Sequence, residues 1–189
     1  MKRVCVFCGS SPGNSPDYAD AARLLAETLV RQDLSLVFGG SSKGIMGVVA
    51  DRMLALGGDV VGVIPQSLKD KEVAHESLTD LRVVDSMHDR KSLMAVLSDG
   101  FIAMPGGTGT LEEIIETLTW GQLQFHEKPC GLLNTNGYFN QLLAFLDHAV
   151  DEGFVRQAHR DMLCVDSDPG LLLEKFRRYD APVVEKWTD

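Results

Sequence analysis

Short apolar, β-branched runs alternate along the chain with longer stretches in which apolar residues recur every three or four positions. The short runs are continuous rather than alternating, as in strands buried on both faces of a parallel sheet. They fall at 3–8, 34–38, 59–64, 81–85, 99–104, 130–133 and 162–165. The longer stretches predict helices. Pro16 to Arg31 follows a Ser-Pro start and repeats Ala21, Leu24, Leu25, Ala26 and Leu29 on one stripe. Further helices are expected at about 44–57, 88–98, 110–125, 138–152 and 168–178, with Gly57, Gly58 and Gly153 as stops. Repeated strand-then-helix order predicts an α/β fold, a single Rossmann-like, doubly wound, mostly parallel sheet with helices on both faces. Such a sheet takes its ligand outside the carboxyl ends of the strands. No repeat or linker divides the chain, so one domain is expected over 1–179, followed by a tail at 180–189.

Composition narrows the partners. At 189 residues, with 44% hydrophobic and 24% charged, the chain can bury a sizeable core. Its 18 Lys+Arg against 27 Asp+Glu leave a net charge of −9, which repels a phosphate backbone, so no nucleic-acid partner is expected. A small phosphorylated ligand is still allowed, because a site needs only a few local donors. The apolar run between Met1 and Cys8 is too short for a signal peptide or a membrane span, so a cytoplasmic protein is expected, without a membrane partner. Cys5 and Cys8 form a C-x-x-C, but on a strand residues three apart face opposite sides. Together with Cys130 and Cys164 they read as buried, reduced thiols. The histidines at 75, 88, 126, 148 and 159 share no ligand spacing, and no metal is expected.

Glycine-rich turns follow three strands: Cys8-Gly-Ser-Ser-Pro-Gly-Asn14, Phe38-Gly-Gly-Ser-Ser-Lys-Gly-Ile-Met-Gly47, and Met104-Pro-Gly-Gly-Thr-Gly-Thr-Leu-Glu-Glu113. None satisfies G-x-x-x-x-G-K-[ST], and Gly107-Thr-Gly109 is followed by Glu112 where G-x-G-x-x-G wants glycine. Two readings of the third turn stay open. Gly106, Gly107 and Gly109 can bring backbone N–H groups at a helix start against an anion. Alternatively, the segment is only a strand-to-helix turn, with Thr110 and Glu113 as a T-x-x-E capping box. Leu111, Ile114, Ile115 and Leu118 form an apolar stripe, which sets Glu112, Glu113, Glu116 and Thr119 off the core and free to face a cleft.

Ser86-Met-His-Asp-Arg-Lys91 opens a helix after the fourth strand and brings two cations to the same edge. Arg90 can grip a carboxylate or phosphate bidentately, or be part of a solvated basic turn, as can Lys91. His88 suits capping or packing. Lys43 either assists a phosphate or faces solvent, and Ser10 and Ser11 are either turn residues or ligand contacts.

The combination of Met87-His-Asp-Arg-Lys91 with Pro105-Gly-Gly-Thr-Gly-Thr-Leu-Glu-Glu113 resembles the Lonely guy (LOG) family of cytokinin riboside 5′-monophosphate phosphoribohydrolases. The likeness covers nearly the whole chain. It extends to Val6-Phe-Cys-Gly-Ser-Ser11, Gly44-Ile-Met-Gly47, Trp120-Gly-Gln-Leu123, Lys128-Pro129 and Gly131-Leu-Leu-Asn-Thr-Asn-Gly-Tyr-Phe-Asn140. It implies hydrolysis of the N-glycosidic bond of a nucleoside 5′-monophosphate, either a cytokinin riboside 5′-monophosphate or AMP, to free base and ribose 5-phosphate. No cofactor is implied. Arg90 and Glu113 map as the catalytic pair, and the substrate contacts carry over to Glu72, Arg90, Lys91, Gly107, Thr108, Gly109, Thr110, Leu111, Glu112, Glu113 and Thr119. Ser41 and Lys43 depart from the family pattern. The likeness also implies a homodimer, with the helices at 88–98 and 110–125 near the contact and residues of both chains in the site. A nucleotide sensor or carrier of the same fold, without turnover, is the alternative. Proteins with this glycine signature are often labelled lysine decarboxylases. That label fits poorly, since nothing beside these turns supplies a Schiff-base lysine for pyridoxal phosphate.

Overall fold

A computed structural model describes residues 1–71 and 73–182. It contains all seven expected strands: β1 (Arg3–Phe7), β2 (Ser35–Phe38), β3 (Val60–Pro65), β4 (Asp80–Val84), β5 (Gly100–Ala103), β6 (Cys130–Leu133) and β7 (Leu163–Asp166). They form one sheet in the order β4-β3-β2-β1-β5-β6-β7, and every pairing is parallel. The strand order reverses between β1 and β5. Neighbouring loops diverge there and open a crevice above the strand ends.

The helices are α1 (Pro16–Arg31), α2 (Gly44–Ala55), α3 (Gln66–Lys69), α4 (Met87–Leu97), α5 (Thr108–Gln122), α6 (Asn140–Asp151), α7 (Gln157–Arg160) and α8 (Pro169–Arg178). The two short helices α3 and α7 lack the length for a periodic signal. One core joins Leu25 and Leu29 of α1, Val49 and Met53 of α2 and Leu172 and Phe176 of α8 to one face of the sheet. The other joins Met94 of α4 and Ile114 and Leu118 of α5 to the opposite face, with Leu142 and Leu146 of α6 packed on it. Cys5 belongs to the second core and Cys8 to the first, as strand alternation requires. All four cysteines are free, and Cys164 is half-buried rather than buried, because β7 is an edge strand.

Two local readings of α5 are corrected. The helix starts at Thr108, two residues before the expected start, so Thr110 lies inside it and the T-x-x-E capping box does not form. Its buried face is Thr110, Glu113, Ile114, Thr117, Leu118 and Gly121, while Leu111 and Ile115 are only half-buried. Glu113 is therefore on the inward face, in the second turn of the helix.

Candidate functional site

A cavity of about 620 Å³ opens above the carboxyl ends of the strands. Its walls come from the turns after β1 (Cys8, Gly9, Ser10) and β2 (Gly39, Ser41, Lys43), from Ile64 and Leu68, from the first turn of α4 and from the first two turns of α5. The sheet therefore gathers segments far apart in sequence. Expected site residues on the wall are Arg90, Gly107, Thr108, Gly109, Thr110, Glu112 and Glu113.

At its inner end lie Arg90 and Glu113, each 8% exposed, with Arg90 Nη1 3.5 Å from Glu113 Oε1. Three features place the guanidinium. Ser86 caps α4, its hydroxyl accepting from the Asp89 N–H at 3.1 Å, which fixes the turn that aims Arg90 inward. Arg90 Nε donates to the Val63 carbonyl at 3.2 Å. Gly39 leaves the space it fills, since a Cβ there would lie 1.9 Å from Arg90 Nη2. Burial pushes the Glu113 carboxyl above its ordinary range, an effect that Arg90 and Lys91 oppose and that Glu112 and Glu116 reinforce. Two charges facing a cavity with few other partners form a charged centre rather than a surface salt bridge.

The second feature is the start of α5. Ser15 and Ser86 cap α1 and α4 with their hydroxyls, and the Gly9 carbonyl accepts from the Ile45 and Met46 N–H groups at the start of α2. Gly107, at the N-cap of α5, offers no side chain. The first N–H groups of α5 thus open onto the cavity, with the positive end of the helix dipole behind them. The glycines here divide by cause. A Cβ on Gly106 would sit 2.2 Å from Thr110 Oγ1 and 2.8 Å from the Gly9 nitrogen, so the fold demands glycine. At Gly107 and Gly109 a Cβ would meet nothing within 4 Å, and both line the cavity. There the protein has no packing reason for glycine, and the bare backbone is open to close approach by a ligand.

The chain matches the family model described as "Possible lysine decarboxylase" over residues 46–176. It is 48% identical over 186 residues, 98% of this chain and 76% of the relative, to a probable cytokinin riboside 5′-monophosphate phosphoribohydrolase of Oryza sativa subsp. japonica. With a cytokinin riboside 5′-monophosphate phosphoribohydrolase of Arabidopsis thaliana it shares 49% identity over 179 residues, 95% of this chain and 78% of that one. The chain belongs to the LOG family. The solved structure of the molybdenum cofactor binding protein from Rippkaea orientalis has a TM-score of 0.71 at 21% identity and covers 94% of this chain and 97% of its own. That likeness shows the fold.

Among the other residues that the LOG resemblance points to, Lys91 lies off the cavity wall. Its ammonium pairs with Glu112 and, at 2.8 Å, with Glu116 Oε2. Burial pulls its pKa down, but the hydrogen bonds to these two carboxylates outweigh burial and hold it above the ordinary lysine value. Leu111 is half-buried against the second core. Thr119 is about three turns along α5, its hydroxyl donating to the Ile115 carbonyl at 2.7 Å. Glu72 lies outside the described residues. The apolar wall of Ile64, Leu68, Val73 and Met87 went unforeseen as a surface, because only the pairing of β3 with β2 brings it over the site. Gly39 carried a signal, a paired glycine directly after a strand, but its partner could not be read locally. The family description raises pyridoxal phosphate, and these residues do not fit it. Lys91 is off the cavity wall and paired with two carboxylates, and Lys43, the lysine on the wall, is exposed at the N-cap of α2, so neither is an enclosed, unpaired amine poised for a Schiff base.

Proposed function

We propose that this protein hydrolyses the N-glycosidic bond of a cytokinin riboside 5′-monophosphate or AMP, releasing the free base and ribose 5-phosphate. The observation that carries this is the buried Arg90–Glu113 pair opening onto a cavity that also receives the bare N-terminus of α5. The 5′-phosphate binds the backbone N–H groups from Gly107 to Thr110. Anchored there, the ribose reaches inward to Glu113, and the base lies along Ile64, Leu68, Val73 and Met87. Cleavage passes through an oxocarbenium-like state with positive charge at the anomeric carbon. The Glu113 carboxylate stabilises that charge and orients the attacking water. Its burial strengthens the interaction, since solvent screens it little. Arg90 stays charged, so it positions Glu113 and the sugar-phosphate rather than transferring a proton.

Two further readings belong to the same proposal. The protein acts as a homodimer of single domains spanning 1–179; of the expected tail at 180–189, positions 183–189 lie outside the described residues. Support comes from Val96 of α4 and from Phe125, just after α5, each 74% exposed on the face where those two helices lie. Its four free cysteines and its helices, none long and apolar enough among the described residues to cross a membrane, suit a reducing, cytoplasmic setting.

Chromatography of free base released from AMP and from its N6-isopentenyl counterpart tests the reaction, and light scattering tests the dimer. Glu113→Gln and Arg90→Ala should each lose on the order of a hundredfold or more in turnover. Saturable nucleotide binding without base release in the wild type would instead establish a carrier.

A further inference from the structure

A second cavity, of about 290 Å³, adjoins the first at the α5 N-terminus. Gly9, Ser10 and Gly107 line both, and Ser11, Tyr18, Ile45 and Tyr138 are among the residues that line the second alone. Of the three residues that line both cavities, only Ser10 carries a side chain. The Gly9 N–H donates to the Pro105 carbonyl at 3.1 Å, and no side chain stands on Gly9, Gly106 or Gly107. An anion on the α5 N–H groups therefore borders both spaces.

The far wall of this second cavity is aromatic and held in place. Tyr138 donates its hydroxyl to the Gly106 carbonyl at 2.6 Å, which ties the ring to the phosphate turn. Tyr18 meets it edge-on, with ring centroids 5.8 Å apart and planes at 80°. Gly13, at φ +76°, lets the chain pass beneath Tyr18, because a Cβ there would lie 2.6 Å from that ring. Asn136 donates to Asp17 at 2.6 Å and clasps the turn carrying Tyr138 against α1. Tyr138 nevertheless keeps 44% of its surface exposed. Two preset tyrosines, a serine pair and room for about one heterocycle form a place for a ring, not for a second phosphate.

We propose that this cavity is a second ring subsite, so that the protein binds nucleotides whose 5′-phosphate is joined to another aromatic group, as in a dinucleotide. The first base and ribose occupy the Arg90–Glu113 cavity, the bridging phosphates rest on the α5 N-terminus, and the second ring lies against Tyr18 and Tyr138. The proposal builds on the reading of the α5 turn as the phosphate site.

Isothermal titration calorimetry with diadenosine 5′,5′-diphosphate and with ADP tests it without requiring turnover. Both probes carry two phosphates. ADP has the greater negative charge but lacks the second ring, so an anion site alone favours ADP. Stacking of the second ring should make diadenosine diphosphate about tenfold tighter. Ser11→Trp, which fills the subsite, and Tyr18→Leu, which removes one aromatic face, should each bring the two probes within about twofold and leave AMP affinity unchanged. Matched melting curves check that both variants fold. Equal affinities in the wild type, or an advantage that survives both substitutions, would overturn the second subsite alone. Failure of AMP itself to bind would overturn the phosphate reading and the subsite with it.

Discussion

Replacing Gly39 with alanine separates a positioning effect from a folding effect. The new methyl group would lie 1.9 Å from Arg90 Nη2, 3.0 Å from Cζ and 3.2 Å from Met46 Sδ. Ordinary contact needs about 3.5 Å, so the guanidinium must withdraw by roughly 1.5 Å. It can do so, because the obstructing atoms are the end of a long side chain with an open cavity beside it. Gly39 does not have the positive φ that would strain alanine. The backbone therefore tolerates the change while the Arg90–Glu113 geometry does not. A misplacement of about 1 Å at a reacting centre lowers rates on the order of a hundredfold, and loss of a preorganised electrostatic contact costs about 100- to 1,000-fold. The expected fall in kcat/KM is thus about 100- to 1,000-fold, or roughly 3–4 kcal/mol of transition-state stabilisation. Base release from AMP followed by chromatography measures it, with a thermal melt alongside. Wild-type kcat/KM would refute the reasoning, and so would a collapse of the melting temperature that makes the loss a folding defect.

The titration of Glu113 gives a pH prediction. Its pKa is raised and the proposed mechanism uses the ionised form, so kcat/KM should fall with decreasing pH through a limb above the ordinary glutamate range. Glu112→Gln removes a like charge that raises this pKa, so the limb should move to lower pH, which a pH–rate profile reads directly; an unmoved limb would detach it from Glu113. The paired glycines of the α5 turn should respond differently to alanine. Gly106→Ala meets Thr110 and the Gly9 backbone and should lower the melting temperature, whereas Gly107→Ala meets nothing and should melt like the wild type while raising KM about tenfold or more. An unchanged KM for Gly107→Ala would show that no ligand approaches that backbone.

The fold was legible because parallel strands buried on two faces leave continuous apolar runs, and all seven runs became strands. Arg90 and Glu113 were legible as motif positions, but their relation was not. Apolar periodicity set Glu113 off the core, because that stripe treats every polar residue as outward. The helix in fact turns Thr110, Glu113 and Thr117 inward, satisfying Thr117 through the Glu113 carbonyl at 2.7 Å and giving Glu113 a cation across the cavity. The start of α5 was misplaced for a related reason. A Thr and a Glu three apart look like a capping box, yet Thr110 packs on Gly106 and the N-cap is left to a residue without a side chain.

The charged pair is hard to explain as a stabilising device. Buried ion pairs lose so much solvation that an apolar replacement of similar volume is often neutral or stabilising, by about 1–4 kcal/mol. Around this pair the chain makes further concessions. Gly39 gives up a side chain, the Val63 carbonyl is drawn to Arg90, and Lys91 is committed to Glu112 and Glu116 beside the site. Burial raises Glu113 toward its neutral form, and Arg90 opposes that rise. A fold selected for stability alone would fill this space with apolar side chains continuous with Met46, Ile64 and Met87, which already line the cavity. What the charged arrangement provides instead is a carboxylate held ready in a poorly screened pocket. That is the group needed where a neutral sugar becomes a cation on the way to losing its base.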